Sequence, residues 1–437
     1  MTDLDGRYPH FSANRAAAPP PAEAKQRGDH PVSEQVHLVG GAFWGSDPQA
    51  ELTWMRASAP VYWDDRGQAW GISKHADVKY ASLHPEIFSS AGGIRPDAPA
   101  VPQLIDMDGD AHLRRRKLVS QGFTARRVAE LEPRIRQICD SLLDAVCEQG
   151  ECDFVWDVAA RLPLIVIADA LGVAPEDRDQ LLRWSDDLLS GLTDVADPEL
   201  AGRAGAAFMG YAEYTSRVIA DRRENPRDDV ISKLVHARLE GEGLEGEGLD
   251  GDRLDQEALI HDSLLVLIGG DETTRHVLSG GAYQLCIHPD QRRLLIEDPG
   301  RIPVAVEEML RWVSPVKNMN RTLTRDFVLR GQQLREGDNA LLLYPSANRD
   351  EEVFADPFRF DVTRQPNDHL AFGLGAHFCL GAALGRLELR VMFERLLARL
   401  PDLSVGGEPP RRQANFISGY EAMQVTFTPV PRSERAV

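Results

Sequence analysis

Apolar residues on every side of one segment predict a long buried helix in the second half of the chain. The five residues 264–268 are all apolar, so no face of this segment suits water. Asp255 can cap the N-terminus of such a helix, and Pro289 lies just past its end. A helix over residues 256–287 would be roughly 48 Å long, because an α-helix rises about 1.5 Å per residue. We therefore expect it to cross a whole domain.

The remaining hydrophobic pattern predicts further helices and a few short strands. Helical spacing dominates 111–237, between proline and glycine breaks, and returns at 303–313 and 380–400. Runs of aromatic or apolar residues bounded by turn residues predict strands, and residues 335–338 would join the last two of them. The predicted strands cover 61–63, 69–72, 327–330 and 339–343. The expected fold class is therefore mainly α with small β-sheets.

Composition along the chain indicates one domain behind an N-terminal tail. Residues 1–35 are polar and rich in Pro and Ala, which is typical of a flexible tail. No boundary divides residues 36–437. The Gly- and Pro-rich stretch 86–105 predicts a long loop, and such loops are usually functional. The acidic stretch 240–253 predicts a solvated loop, because its Asp spacing does not match a calcium loop.

Charge and cysteine content argue against several classes of protein. The chain carries 49 basic against 68 acidic residues, a net charge of −19. Such a balance disfavours binding to nucleic acid or to an anionic membrane surface. No apolar run reaches the length of about 18 residues that a membrane span requires. Five cysteines without disulfide-framework spacing predict a reducing, cytoplasmic location.

The strongest local signal is a glycine-rich loop around one cysteine. Cys379 is preceded by Phe372 and Gly375 and followed by Gly381, at the start of an amphipathic helix. Glycines let a backbone turn tightly and approach a flat ligand. A helix N-terminus favours a thiolate, which is a ligand of haem iron. A lone cysteine would more often be inert and buried, but this spacing argues against that interpretation.

The loop resembles the haem-binding motif F-x-x-G-x-x-x-C-x-G of the cytochrome P-450 superfamily. The resemblance implies a single triangular-prism-like domain with haem b between the long central helix and the cysteine-loop helix. It makes Cys379 the axial ligand of the haem iron and Phe372 the residue that packs near the sulfur. It also implies that Gly373 and Gly381 contact the haem.

Two adjacent glycines interrupt the predicted long helix, at a cost of about 1 kcal/mol each relative to alanine. They could form a packing notch for a crossing helix, or they could thin and partly unwind the helix to admit dioxygen. The run from Gly269 to Thr273 resembles the family motif A-G-x-[DE]-T, with Gly269 in place of the alanine. The resemblance implies that Gly269 and Gly270 also lie at the haem. It makes Thr273 the oxygen-activating threonine and Glu272 its acidic, proton-relaying neighbour, and both are catalytic candidates.

Charged residues elsewhere match the same family. Glu308 and Arg311 lie on one helix face; such pairs are common, but this one resembles the E-x-x-R motif, whose structural third partner would be Arg359. The run 114–117 could be a solvated helix face or a docking patch for an acidic electron donor. Two buried carboxylates need cationic partners. The residues that resemble haem-propionate contacts are His112, Arg116, Arg321 and His377.

Several longer stretches, among them 89–97, 267–276 and 414–419, resemble the actinobacterial sterol side-chain oxidases. These enzymes hydroxylate the terminal methyl group of cholesterol or cholest-4-en-3-one. An apolar pocket discriminates weakly between apolar guests. A polyketide, macrolide or terpenoid substrate therefore stays open, and each lining residue could instead be core. The resemblance places in the substrate pocket Ile94, Val101, Leu265, Gly269, Val316, Met319, Phe416 and Ile417.

The resemblance as a whole implies a haem-thiolate monooxygenase that hydroxylates an unactivated C–H bond of a hydrophobic substrate. Such an enzyme uses O2 and two electrons from NAD(P)H, which arrive through a reductase and a ferredoxin. A non-catalytic haem sensor is one alternative, but a sensor needs no proton relay. A peroxide-driven hydroxylase is another, and enzymes of that kind tend to replace the acid–threonine pair that is present here.

Overall fold

Helices make up most of the computed structural model, which describes residues 30–191, 198–238, 249–250 and 252–432. The mainly α prediction is confirmed. Of the predicted tail, only residues 30–35 are described, and most of the acidic stretch 240–253 lies outside the described residues. The α-helices are α1 (Gly41–Gly45), α2 (Gln49–Ser58), α3 (His75–Leu83), α4 (Gly109–Ser120), α5 (Ala125–Glu130), α6 (Glu132–Val146), α7 (Arg161–Leu171), α8 (Arg178–Ser190), α9 (Pro198–Glu224), α10 (Val230–His236), α11 (Gln256–Ile287), α12 (Pro289–Glu297), α13 (Ile302–Val313), α14 (Tyr344–Ala347) and α15 (Ala382–Arg399).

The strands are short and form four small sheets within the described chain. They are β1 (Val61–Asp64), β2 (Ala69–Ile72), β3 (Phe88–Ser89), β4 (Glu151–Asp153), β5 (Leu249–Asp250), β6 (Arg253–Leu254), β7 (Asn318–Leu323), β8 (Phe327–Leu329), β9 (Gln332–Leu334), β10 (Asn339–Leu343), β11 (Ser404–Val405) and β12 (Gln424–Thr426). The largest sheet has the order β1-β2-β10-β7-β3, with β10 parallel to β2 and antiparallel to β7. The sequence analysis predicted β1, β2, β8 and β10 and missed the other described strands, among them β7 in the largest sheet and β9, which pairs with β8 in a separate hairpin.

The central helix α11 has the predicted bounds. The Asp255 side chain caps it by accepting a hydrogen bond from the Ala258 amide at 2.8 Å. Its second half is buried in the largest hydrophobic cluster, together with residues of α6, α13 and α15. A π-helical turn, Phe154–Ala159, leads into α7, and α7 packs along α11. Among the described helices, none combines the length and the apolar character that crossing a bilayer requires.

Candidate active site

One large cavity lies between α11 and the loop that carries Cys379. Its empty volume, including the mouth, is about 1770 Å³. Its lining extends from the cysteine loop to the segments with Val316 and Phe416, so one continuous space connects them. The predicted site residues on its wall are Ile94, His112, Arg116, Leu265, Gly269, Gly270, Thr273, Val316, Met319, Arg321, Phe372, Gly373, His377, Cys379, Gly381, Phe416 and Ile417.

The cysteine loop is folded tightly enough to present Cys379 to the cavity. The Cys379 amide donates to the Phe372 carbonyl at 2.9 Å, which closes the loop. Gly373 and Gly375 have φ values of +66° and +75°, where a side chain would be strained. A Cβ on Gly375 would also lie 2.7 Å from the Ser82 carbonyl oxygen. The backbone path therefore requires both glycines.

Burial and the groups around Cys379 shift the pKa of its thiol in opposite directions. Burial raises the pKa of the Cys379 thiol, whereas a hydrogen bond from the Gly381 amide and the charge of Arg116 lower it. Burial has the larger effect, and the pKa lies above its usual value. The expectation that the helix N-terminus favours a thiolate stays a prediction, and a coordinated metal would favour the thiolate as well.

His112 and His377 form a stacked pair on the cavity wall. Their ring centroids are 4.2 Å apart. His377 Nε2 lies 3.1 Å from Asp108 Oδ1 and 3.2 Å from Ser90 Oγ. His112 is fully buried, and neither of its ring nitrogens has a hydrogen-bond partner among the described residues. Burial, together with the charge of His377, lowers the pKa of His112 to about 3. Both ring nitrogens of His112 are therefore available to a group bound in the cavity.

The two predicted propionate arginines lie on the same wall. Arg116 donates to the Phe378 carbonyl, and Arg321 Nη1 donates to the Asn320 carbonyl at 2.7 Å. Tyr344 also lines the cavity. Burial raises the pKa of its hydroxyl, and the charge of Arg321 opposes that shift. The sequence analysis missed Tyr344, for which the one signal was a tyrosine directly after a buried strand.

These residues fit a haem. The wall brings together a thiol, two arginines and a histidine whose ring nitrogens lack partners. A macrocycle with two carboxylates would supply the missing anions. Arg115 does not belong to this group or to a solvated helix face, because it is 3% exposed and bonds Asp262 at 2.6 Å.

The two glycines of α11 have different surroundings. A Cβ on Gly269 would meet nothing within 4 Å, so this position opens onto the cavity. A Cβ on Gly270 would lie 3.0 Å from the Ile167 side chain, so this position is a packing notch for α7. The helix is continuous through both residues, which corrects the expectation that it unwinds. The Thr273 hydroxyl donates to the Gly269 carbonyl at 2.9 Å.

Glu272 lies beside the cavity rather than on its wall. It is 0% exposed and accepts a hydrogen bond from Arg275. His276 Nε2 lies 3.5 Å and Arg412 Nη1 lies 3.7 Å from its Oε2. Burial and the nearby charge of Glu272 raise the pKa of the neighbouring Asp271 to about 8. The two residues of the predicted acid–threonine pair are therefore adjacent in the helix, but Thr273 lines the cavity whereas Glu272 packs among the charged residues beside it.

Of the predicted substrate-pocket residues, Val101 alone is not on the cavity wall. Its amide instead donates to Asp106 Oδ2 at 3.1 Å. Asp106 Oδ1 also accepts from the Ile94 amide at 3.1 Å, so one carboxylate holds both ends of this loop. The sequence analysis missed Asp262 of α11, which lies on the wall and accepts from the Leu104 amide at 2.8 Å.

The Glu308–Arg311 pair is a buried, doubly hydrogen-bonded ion pair, with both distances 2.7 Å. The structure corrects its third partner. Arg359 is exposed, and its carbonyl rather than its side chain faces this cluster. Arg364 Nε bonds Glu308 Oε2 at 3.1 Å. Both arginines precede the cysteine loop in the sequence, and only the fold shows which of them contacts Glu308.

Comparison with known proteins gives consistent matches. The sequence model of the family "Cytochrome P450" matches residues 302–418. A steroid C26-monooxygenase of Mycolicibacterium smegmatis is 51% identical over 397 residues, which cover 90% of this chain and 96% of that protein. A steroid C26-monooxygenase of Mycobacterium tuberculosis is 52% identical over 400 residues, which cover 91% and 98%. A solved cytochrome P450 of Mycobacterium marinum, in complex with pseudoionone, is 32% identical with a TM-score of 0.82, covering 92% of this chain and 100% of that one.

Proposed function

Since the chain belongs to the cytochrome P450 family of haem-thiolate monooxygenases, we propose that it hydroxylates the terminal methyl group of a steroid side chain. The observation that carries this proposal is the identity of 51% and 52% to two steroid C26-monooxygenases over nearly their whole lengths. The family itself implies haem, O2, a hydrophobic substrate and redox partners. The steroid is the new element, with cholest-4-en-3-one as the first candidate.

The residues that would hold haem are those on one wall of the cavity. Cys379 would be the axial ligand of the iron, and His112, Arg116, Arg321 and His377 would pair with the propionates. Gly269, Gly270, Gly373 and Gly381 would let the macrocycle approach the backbone, beside Phe372. When bound, haem supplies the oxygen activation that the chemistry of C–H hydroxylation requires.

Thr273 and Glu272 would handle protons. The Thr273 hydroxyl holds one proton and is oriented by the Gly269 carbonyl at 2.9 Å. Glu272 contacts Arg275 and Arg412, and both of these arginines contact Asp186, whose side chain is 25% exposed. This chain of charges connects the interior to solvent. Because Glu272 is not on the cavity wall, we propose that it turns toward Thr273 to deliver a proton.

The far end of the cavity suits an apolar guest. Leu265 of α11 lines the cavity together with Val316 and Met319 and with Phe416 and Ile417 of the C-terminal loop. Apolar walls exclude water from the bound substrate. The loop with Ile94 covers this space and is held down by Asp106, as described above. A steroid ring system would fill this end while its side chain reaches toward Cys379.

Electrons would come from NAD(P)H through a reductase and an acidic ferredoxin. Arg116 of α4 donates to the carbonyl of Phe378, whose side chain is 39% exposed, and the same helix carries Arg114, which is half-buried, and Lys117, which is exposed. A basic spot on a chain of net charge −19 would steer an acidic partner. We also propose a cytoplasmic location, which agrees with five cysteines that are all free thiols.

An optical titration of the ferric holoenzyme tests the substrate. Cholest-4-en-3-one should produce a saturable low-spin to high-spin shift of the haem spectrum, and product analysis should find the terminal alcohol. Leu265→Trp should abolish the shift by filling the cavity. Met209→Trp, at a position 67% exposed on α9, is the matched control. A shift with a polyketide or terpenoid but none with the steroid would overturn the proposal.

A further inference from the structure

A second cavity lies beside the substrate end of the first one. The two share a wall where Val316 bridges to Ile417 and the Lys317 amide donates to the Phe416 carbonyl at 2.7 Å. Val316 and Ile417 line the first cavity, whereas Lys317 and Ser418 line the second. The empty volume of the second cavity, including its mouth, is about 650 Å³. Its lining differs in kind, because it is largely polar and includes three cationic side chains and one carboxylate, that of Asp47.

Three cationic side chains converge on this second cavity: Lys317, Arg349 and Arg411. Arg411 is compensated, since its Nη2 lies 3.2 Å from Asp47 Oδ2 and 3.0 Å from Glu408 Oε1. Lys317 has no carboxylate partner among the described residues. Its Nζ lies 3.1 Å from the Ser314 carbonyl at the end of α13.

Arg349 is the least satisfied of the three. It is 5% exposed and stacks over the Trp312 ring, with 4.7 Å from its Cζ to the ring centroid. Its Nη2 donates to the Trp312 carbonyl at 2.8 Å. Its Nε and Nη1 have no hydrogen-bond partner within the described chain. A buried cation with two unpaired donors is costly unless something anionic joins it.

The electrostatics of the site favour the binding of an anion. The pKa of Lys317 is lowered to about 7, mainly by burial. The charges of Arg411 and Arg349 lower it as well, and the charge of Asp47 opposes them only in part. Burial and the charge of Arg311 also lower the pKa of Arg349. Both shifts mean that the charged form of the side chain is unfavourable in these surroundings. An anion between the two cations would reverse them.

We propose that this second cavity binds a small oxyanion of the size of phosphate, held by Lys317 and Arg349. A guanidinium matches two oxygens of an oxyanion, and an ammonium adds a point charge. The lining also includes Trp312, over whose ring Arg349 lies, and Tyr420, over whose ring Arg411 lies. This site does not depend on the steroid assignment, since no residue that holds the anion lines the substrate cavity.

Calorimetric titration with inorganic phosphate tests the proposal on the holoenzyme, in a phosphate-free buffer at constant ionic strength. The wild-type protein should bind one phosphate per chain. Lys317→Gln and Arg349→Lys should each weaken binding by about tenfold or more, because each loses a charge-assisted contact. Lys79→Gln, which removes an exposed lysine elsewhere, should bind as the wild type does.

A second measurement keeps the test decisive if either cavity variant is unstable. Wild-type crystals soaked in tungstate should show an anomalous peak between Lys317 and Arg349. Absence of saturable phosphate binding would mean that the cavity holds water only, and would overturn the proposal. Unchanged affinity in both folded variants, or a peak elsewhere on the molecule, would overturn it as well.

Discussion

Two buried Glu–Arg pairs with the same spacing differ in how completely they are bonded. Glu308 and Arg311 on α13, and Glu272 and Arg275 on α11, are each three residues apart, and all four side chains are at most 3% exposed. Glu308 uses both carboxylate oxygens, which accept from Arg311 and from three further donors. In the other pair, Glu272 Oε1 and Arg275 Nε and Nη1 have no partner among the described residues.

The difference indicates two kinds of use for the same motif. A fully bonded buried network is rigid, and removing any member leaves an unpaired charge. An incompletely bonded one leaves donors and acceptors that can take a new partner, and unsatisfied buried groups of this kind occur at catalytic sites. The pair on α13 therefore suits a scaffold that holds the segment before the cysteine loop. The pair on α11 suits a group that moves a proton.

Breaking the scaffold pair should have the largest effect. Glu308→Gln should lower the free energy of unfolding by about 3–5 kcal/mol, because Arg311 and Arg364 would keep their charges without the shared carboxylate. Urea unfolding followed by circular dichroism measures this loss. Glu297→Gln on α12, an exposed position, is the control. A loss no greater than that of the control would show that the two pairs do not differ.

Glu272→Gln should instead reduce turnover, by about 100-fold, since a proton-delivering acid contributes at least that much. Its cost in stability should stay below that of Glu308→Gln, because Arg275 keeps Asp186 at 3.8 Å. Product formation and urea unfolding of the same preparation give both values. Normal turnover with a large loss of stability would make this pair a second scaffold.

The third partner of Glu308 can be tested directly. Arg364→Ala should lower the free energy of unfolding by about 2 kcal/mol, because it removes charged hydrogen bonds to Glu308 and to backbone carbonyls. Arg359→Ala should change it by less than about 0.5 kcal/mol, as at most exposed positions. The reverse order in thermal or urea unfolding would restore Arg359 as the partner.

Thr273→Ala should have a smaller effect on the rate of turnover than Glu272→Gln and a distinct effect on coupling. Loss of the hydroxyl should lower the amount of product formed per NAD(P)H by about tenfold, because a hydrogen bond of about 1.4 kcal/mol corresponds to a factor of ten. Release of hydrogen peroxide should rise. Thr273→Ser should preserve coupling. An unchanged ratio of product to NAD(P)H in the alanine variant would remove the proposed proton role.

Elements with a strong local signal could be predicted from the sequence. The bounds of α11 followed from its capping residue, its apolar centre and the proline beyond it. The cysteine loop followed from glycine spacing, and two of its glycines have the positive φ that the prediction requires. Local rules reach this far because each involves residues close together in the chain.

Features that depend on distant residues could not be predicted. The choice between Arg359 and Arg364 depends on how the chain turns after Asp356, which no spacing rule records. The separate surroundings of Gly269 and Gly270 depend on where α7 crosses α11. Asp262 and Tyr344 reach the cavity wall through tertiary contacts alone, so the sequence singled out neither of them.

The bridge between Val316 and Ile417 has a consequence for tolerated sequence change. Neighbouring residues 316 and 317 line different compartments, one apolar and one charged. A shift of one residue in this pairing would exchange their places. Lys317 would then enter the apolar cavity, and its ammonium group would lose its hydrogen bonds to the backbone carbonyls of Val313 and Ser314. Insertions or deletions between residues 314 and 318 should therefore be rejected, although short connecting segments usually absorb them.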